Sequence, residues 1–298
     1  MKIRNRRTDL ALESTELWQE GAEKTTLLQG VRSEERIRDG ISVTTVHILD
    51  ENGGKALQKP PGRYVTITLE PLLRRESDAF PRSVHALAEE LSLLLPKNLS
   101  IGPVLVAGLG NRAITPDAIG PKTHEHTLAT RHLISQVPEH FGDFRSVVSL
   151  STGVLGTTGL ESGELIKSLC QSLAPSCIIA VDALATRSLK RLCRTVQLAD
   201  TGIIPGSGVG NHRHALTEES LGVPVIAIGV PTIVDAATLA ADLLDLDELP
   251  DLGCEKDLLV TPKDIDVQVA DLSKVIGYAI DLALHPGLTL EDLELLLS

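Results

Sequence analysis

With 298 residues, 42% of them hydrophobic, the chain can bury the core of one large α/β domain, though aromatics at 2% leave Leu, Val, Ile and Ala to fill it. A formal net charge of -12 argues against direct nucleic-acid binding through a broad basic surface. No apolar run of about 18 residues occurs, so neither a membrane span nor a signal peptide is expected.

The first ten residues read as a tail, and residues 1–40 carry mixed charge and weak periodicity. Residues 41–49 (ISVTTVHIL) and 63–69 (RYVTITL) are rich in β-branched residues and are expected as strands of a hairpin. Asn52-Gly53-Gly54 and Pro60-Pro61-Gly62 supply turn signals between them. Val84, Leu87, Leu91, Leu94 and Leu95 then recur at helical spacing up to Pro96, so 41–95 read as an appended hairpin and helix.

An α/β core is expected over 101–284. Val104 to Ala107 reads as a buried strand, broken at Gly108 and Gly110. Thr115-Pro116-Asp117 has the grammar of a helix start, with the helix running to about 136. A strand over 145–150 precedes a helix marked by Leu165, Ile166, Leu169, Cys170 and Leu173. Residues 177–181 (CIIAV) form a continuous apolar strand ending at Asp182, and 195–198 a short one. A glycine-rich loop (205–211), a buried strand (223–228), a helix (about 233–244) and an acidic loop (245–257) follow. Thr261-Pro262-Lys263-Asp264 opens a helix carried by Ile265, Val269, Leu272, Ile276 and Ala279, and a last helix spans about 289–297. Apolar strands separated by helices imply a mainly parallel sheet covered on both faces.

Asp117 and Asp182 are the leading candidates for chemistry. Each follows its own strand, and a parallel sheet brings those carboxyl ends to one edge. Two carboxylates in a sheltered cleft share a proton, so that one activates water and the other protonates a leaving amine. Equally, Asp117 could complement a helix end and Asp182 could begin a turn, and the residues alone leave both readings open. Asp200-Thr201-Gly202 spells the triplet of pepsin-type proteases, but those folds are all-β and an ordinary turn fits better. The loop Gly206-Ser207-Gly208-Val209-Gly210-Asn211 could cradle a phosphate with its N–H groups. It lacks Walker spacing and an evident helix behind it, and reads as a tight or substrate-lining loop. His124 and His126 would point apart on a helix, and His212 with His214 reads as a polar turn before a metal pair. Ser151 and Ser207 have no nucleophile-elbow context. Cys170, Cys177, Cys193 and Cys254 lack CxxC spacing and read as thiols in a reducing compartment.

The stretches GLGNRAITPDAIGP, TRHLI, GVLGTTGLES, IIAVDALATRSLKR, QLADTGIIPGSGVGN and GVPVIAIGVPTIVDA resemble the germination protease family of spore-forming bacteria, a likeness that extends from RTDLALE to VTPKDID. The resemblance implies a single peptidase domain over 1–298 and a three-layer α/β/α sandwich like that of hydrogenase maturation peptidases. It implies an aspartic-type endopeptidase that starts the degradation of small acid-soluble spore proteins during germination, with Asp117 and Asp182 as the catalytic aspartates. It further implies a homotetramer in the cytoplasm of the forespore or spore core, with no cofactor, no metal, no direct nucleic-acid contact and no membrane contact. Asn111, Asp200, Gly206, Ser207, Gly208 and Asn211 are candidates for lining the substrate site. Members of the family are made as zymogens and cut substrates at sites resembling Thr-Glu, an apolar residue, then Ala. Thr8-Asp9-Leu10-Ala11 has that form, so self-cleavage is expected between Asp9 and Leu10, with 1–9 as propeptide. The leader MKIRNRR is short and basic, and the segment before VTPKDID is shorter than in longer members. Rival readings are a metal-dependent peptidase of the maturation type and a non-enzymatic module that binds a phosphate ligand.

Overall fold

The computed structural model describes residues 8–21, 28–97, 99, 102–206, 214–244 and 258–298. Among these, the strands are β1 (Val31–Arg38), β2 (Ile41–Ile48), β3 (Gly62–Thr68), β4 (Val104–Leu109), β5 (Val147–Gly153), β6 (Cys177–Thr186), β7 (Thr195–Ala199), β8 (Val225–Asp235) and β9 (Leu259–Val260). They form one sheet in the order β1-β2-β3-β7-β8-β6-β4-β5, with β9 paired to β8. The pairs β5–β4, β4–β6 and β6–β8 are parallel. From β8 outward through β7, β3, β2 and β1 the pairing is antiparallel.

The apolar runs are buried because helices cover both faces. Val104, Val106, Ile179, Val181, Ile226 and Ile228 share a core with helices Ala79–Leu94 and Ile265–Leu284. The alternate residues Leu105, Ala107, Ile178 and Ala180 face the other way, against Ile166 of helix Ser162–Leu173. On that second face the antiparallel half packs Val46, Ile48, Tyr64 and Ala199 with Ala11 of helix Ala11–Gly21. The result is a three-layer α/β/α arrangement. Each fully buried Leu, Ile or Val contributes about 1.5–3 kcal/mol relative to exposure.

Several expectations need correction. Strand β1, charged and mostly exposed, lies in the stretch whose periodicity is weak. Asn52-Gly53-Gly54 is helical, within Glu51–Leu57, because Asp50 caps that helix by accepting from the N–H groups of Asn52 and Gly53 at 2.9 Å each. β2 and β3 form the expected antiparallel pair, and β3 joins it to the rest of the sheet through β7. The expected helix 116–136 is three pieces: a 3-10 turn Thr115–Asp117 and helices Ile119–Glu125 and Arg131–Gln136. The break follows from a buried acceptor, since Leu128 N–H donates to both carboxylate oxygens of Asp281 at 3.1 and 3.0 Å. Strand β6 runs past Asp182 to Thr186, and β8 runs alongside it to Val234. The helix expected at 233–244 is Ala236–Leu243, started by Asp235, whose side chain accepts from Thr238 N–H. The acidic loop 245–257 lies outside the described residues. Among the described residues no helix is long and apolar enough to cross a membrane.

Helix Ile119–Glu125 is set directly onto strand backbone. A Cβ at Gly120 would fall 2.3 Å from Leu109 O, 2.4 Å from Leu109 N and 2.5 Å from Val181 O. Alanine would gain at most about 1 kcal/mol of helix propensity there, whereas overpacking against main chain that cannot rotate away costs about 1–3 kcal/mol. Gly120→Ala is therefore expected to lower the unfolding free energy by about 1–2 kcal/mol in urea titration. Stability equal to or above that of wild type would contradict the packing described.

Candidate active site

Strand β4 stops where the chain must fold back on itself. Gly110 has φ 109°, and a Cβ there would lie 2.1 Å from Asp117 O, so only glycine admits the return of the loop. Asn111 N–H donates to Asp117 Oδ2 at 2.8 Å, and Asp117 N–H donates to Ile114 O at 2.8 Å. Asn111 Oδ1 accepts from Ala113 N–H at 3.0 Å. These bonds fix the direction of the Asp117 carboxylate. Thr115 makes no capping bond; the turn is preceded by Ile114.

Asp182 reaches the same place from β6. The β4–β6 pairing ends at Gly108 opposite Val181, so Asp182 stands one residue beyond the last paired position, level with the last residue of β4. It is 5% exposed, and Ala183 N–H donates to its Oδ1 at 2.9 Å. Asp117 and Asp182 line one cavity of about 350 Å³, beyond the carboxyl end of β4 and alongside the carboxyl-terminal half of β6, on the side of the sheet where open α/β folds place their sites. Pro116, Leu184, Gly206, Thr232 and Thr261 also line it, and so does Asp9.

Of the first ten residues, expected as a tail, the described ones, 8–10, are packed against the sheet. Asp9 N–H donates to Ala185 O at 3.0 Å, and Ala185 N–H donates to Asp9 Oδ2 at 2.8 Å. Leu10 is fully buried. Glu13, also fully buried, accepts from Thr186 Oγ1 at 2.6 Å, Arg187 N–H at 2.8 Å and Arg191 Nη1 at 3.3 Å, which satisfies a charge taken out of water. Lys59 Nζ and Gln197 Nε2 donate to Asp9 O at 2.8 and 3.2 Å. Burial lowers the Lys59 pKa, opposed by the nearby charges of Asp9 and Glu13.

Of the sequence candidates, Asp117, Asp182, Asp9 and Gly206 meet at the cavity. Asn111 stands behind it, holding Asp117. Asp200 does not contribute to the lining: it follows β7, and its Oδ1 accepts from Arg63 N–H at 2.8 Å, which makes Asp200-Thr201-Gly202 a turn tied to β3. Ser207, Gly208, Asn211 and His212 lie outside the described residues, as do residues 1–7 of the expected propeptide and Cys254. His124 pairs with Ser149 Oγ at 2.9 Å, away from the cavity lining. Sequence reading misses Lys59, Gln197 and Glu13. Gln197 carried a signal, a polar residue inside the buried run TVQLA; Lys59, in a proline-rich turn, carried none. Among the described residues no three His, Cys, Asp or Glu side chains are grouped to hold a metal ion.

The model of the germination protease family matches residues 9–255. The chain belongs to the germination protease family. It is 43% identical to the germination protease of Clostridium perfringens (strain SM101 / Type A), over 99% of each chain. The corresponding figures are 43% and 98% of each chain for the germination protease of Caldanaerobacter subterraneus subsp. tengcongensis, and 34% over 94% of this chain and 93% of the relative for that of Bacillus cereus (strain ATCC 10987 / NRS 248). Among solved structures, a [NiFe] hydrogenase maturation protease, HycI from Thermococcus kodakarensis KOD1, overlaps 64% of this chain and 98% of its own at 16% identity, with a TM-score of 0.36, too slight to bear on function. Family membership makes the protein a peptidase of spore germination.

Among the described residues, the buried Cys177 and Cys193 are poorly placed to act as nucleophiles. Cys170, Cys177 and Cys193 are free thiols, and burial pushes Cys177 and Cys193 up to about 12. At pH 8 such thiols stay protonated, and the thiol is not the reactive form. Peptide mapping after brief iodoacetamide treatment of the folded protein at pH 8 should find Cys177 and Cys193 unmodified. Rapid alkylation of either would contradict their burial.

Proposed function

We propose that the protein is an aspartic-type endopeptidase that begins the degradation of small acid-soluble spore proteins, working through Asp117 and Asp182. The observation that carries this reading is that both carboxylates line the cavity into which the chain's own Asp9 inserts, within a Thr-Asp-Leu-Ala segment. One carboxylate takes a proton from water as the water adds to the peptide carbonyl carbon. The other, protonated, delivers its proton to the departing amine. The same segment is the self-processing site: residues 1–9 are released by cutting between Asp9 and Leu10. The protein works as a homotetramer in the forespore or spore-core cytoplasm, takes its substrates as proteins, and requires no cofactor.

Isosteric replacement removes the acid–base function and keeps the shape. Asp117→Asn and Asp182→Asn are each expected to lower the rate of cleavage of a small acid-soluble spore protein by about 10³-fold or more, with circular dichroism unchanged. Near wild-type turnover in either variant would refute the assignment. Fully active protein should begin at Leu10 on N-terminal sequencing, and full activity with Met1 retained would refute self-processing.

A further inference from the structure

We propose that Lys59 and Gln197 form the carbonyl-binding site of the enzyme, holding the oxygen of the peptide bond to be cut and accepting the negative charge that develops on it. The inference rests on the proposed function and adds residues to it. Two side chains, one from the turn before β3 and one from β7, converge on a single backbone oxygen, Asp9 O: Lys59 Nζ at 2.8 Å and Gln197 Nε2 at 3.2 Å. The oxygen they select belongs to the Asp9–Leu10 peptide. The other end of the Gln197 amide accepts from Ala11 N–H at 2.8 Å, so one side chain grips the backbone on both sides of Leu10.

The sheet explains why this grip lies beside the aspartates. Gln197 of β7 and Asp182 of β6 are both in register with Gly229 of β8, one on each side, so their side chains share a face. A Cβ at Gly229 would fall 2.3 Å from Leu184 Cδ1, and the missing side chain lets Leu184 settle between them. Ala185 completes the cradle by pairing with Asp9 through its N–H and its carbonyl.

A lysine is a costly choice for a mere tether. It is half-buried with its ammonium desolvated, and the nearby negative charge of Asp9 and Glu13 opposes that loss. Asp9 supplies part of that charge, so an acidic residue before the cut bond restores what burial removes. The ammonium is better matched to a tetrahedral oxyanion than to a neutral carbonyl. In the full step, water adds to the Asp9 carbonyl carbon and loses a proton to one carboxylate of the Asp117–Asp182 pair. The π electrons move onto the oxygen held by Lys59 and Gln197. The C=O then re-forms, the C–N bond breaks, and Leu10 nitrogen takes its proton from the other carboxylate.

The test follows the first-order appearance of the Leu10 terminus in the full-length chain. Lys59→Met is expected to slow it by about 10²–10³-fold, the usual effect of removing one oxyanion donor. Lys59→Arg, which keeps a cationic donor, should recover part of the loss. Gln197→Glu keeps the acceptor for Ala11 N–H, removes the donor to Asp9 O, and should slow cleavage at least about 10-fold. Docking is read separately, by amide exchange at Asp9 in an Asp182→Asn background that keeps the chain uncut. Protection there should survive Lys59→Met, because Asp9 N–H is held by Ala185. Wild-type cleavage by Lys59→Met and Gln197→Glu, or loss of Asp9 protection in step with the lost rate, would overturn the inference and leave the aspartates' role standing. Undiminished cleavage by Asp117→Asn or Asp182→Asn would overturn the proposed function itself. If wild type never gains a Leu10 terminus, the carbonyl-site inference falls, whereas cutting of a spore protein in trans would still sustain the proposed function.

Discussion

The site depends on a contact without side chains. At Gly120 the helix Ile119–Glu125 touches the backbone of Leu109 on β4 and of Val181 on β6. That contact fixes how far β4 extends and where the following loop returns. β4 stops at Leu109, while β6 and β8 run on to Thr186 and Asp235. The difference in strand length leaves a recess above the end of the shorter strand. Asp117 enters it from the returning loop and Asp182 from the longer strand. Dispersion and burial hold the two helical layers against the sheet, but close backbone approach decides where the recess lies.

The antiparallel half of the sheet gives the recess its occupant. Residues 8–21 lie over the face made by β2, β3 and β7, and Glu13 anchors them through bonds to Thr186, Arg187 and Arg191. Removing one partner of such a buried charge is strongly destabilising, typically by about 3–5 kcal/mol. The contacts fall on different residues, Glu13 fastening the segment and Lys59 and Gln197 donating to the Asp9 carbonyl oxygen.

What the sequence disclosed follows from which forces are local. Continuous apolar runs such as CIIAV and VIAIGV are legible because burial on both faces removes alternation. Asp117 and Asp182 could be expected at one cavity because parallel topology turns the carboxyl-terminal sides of β4 and β6 to one edge, although β6 runs past Asp182 to Thr186 rather than ending there. The long helix drawn through 116–136 failed because its interruption is tertiary: Asp281, more than 150 residues away in the chain, takes the Leu128 N–H. Asn52-Gly53-Gly54 failed because the Asp50 cap outweighed the turn signal of its glycines. Asp200 was drawn toward the site as the start of the loop that runs to Asn211, whereas its carboxylate accepts from Arg63 N–H. Lys59 was invisible, and Gln197, though conspicuous as a polar residue within TVQLA, could not be placed, because their convergence on Asp9 is a relation between three distant stretches that no local pattern encodes.

The most direct measurement is inhibition by a Thr-Asp-Leu-Ala peptide in which a hydroxyl-bearing tetrahedral carbon replaces the Asp–Leu carbonyl. If Asp117 and Asp182 deliver water to that bond, the analogue should bind at least about 10²-fold tighter than the parent peptide. Most of that advantage should vanish in Asp117→Asn and in Asp182→Asn. An analogue that binds no better than the parent peptide, or equally tightly to wild type and both variants, would contradict the account.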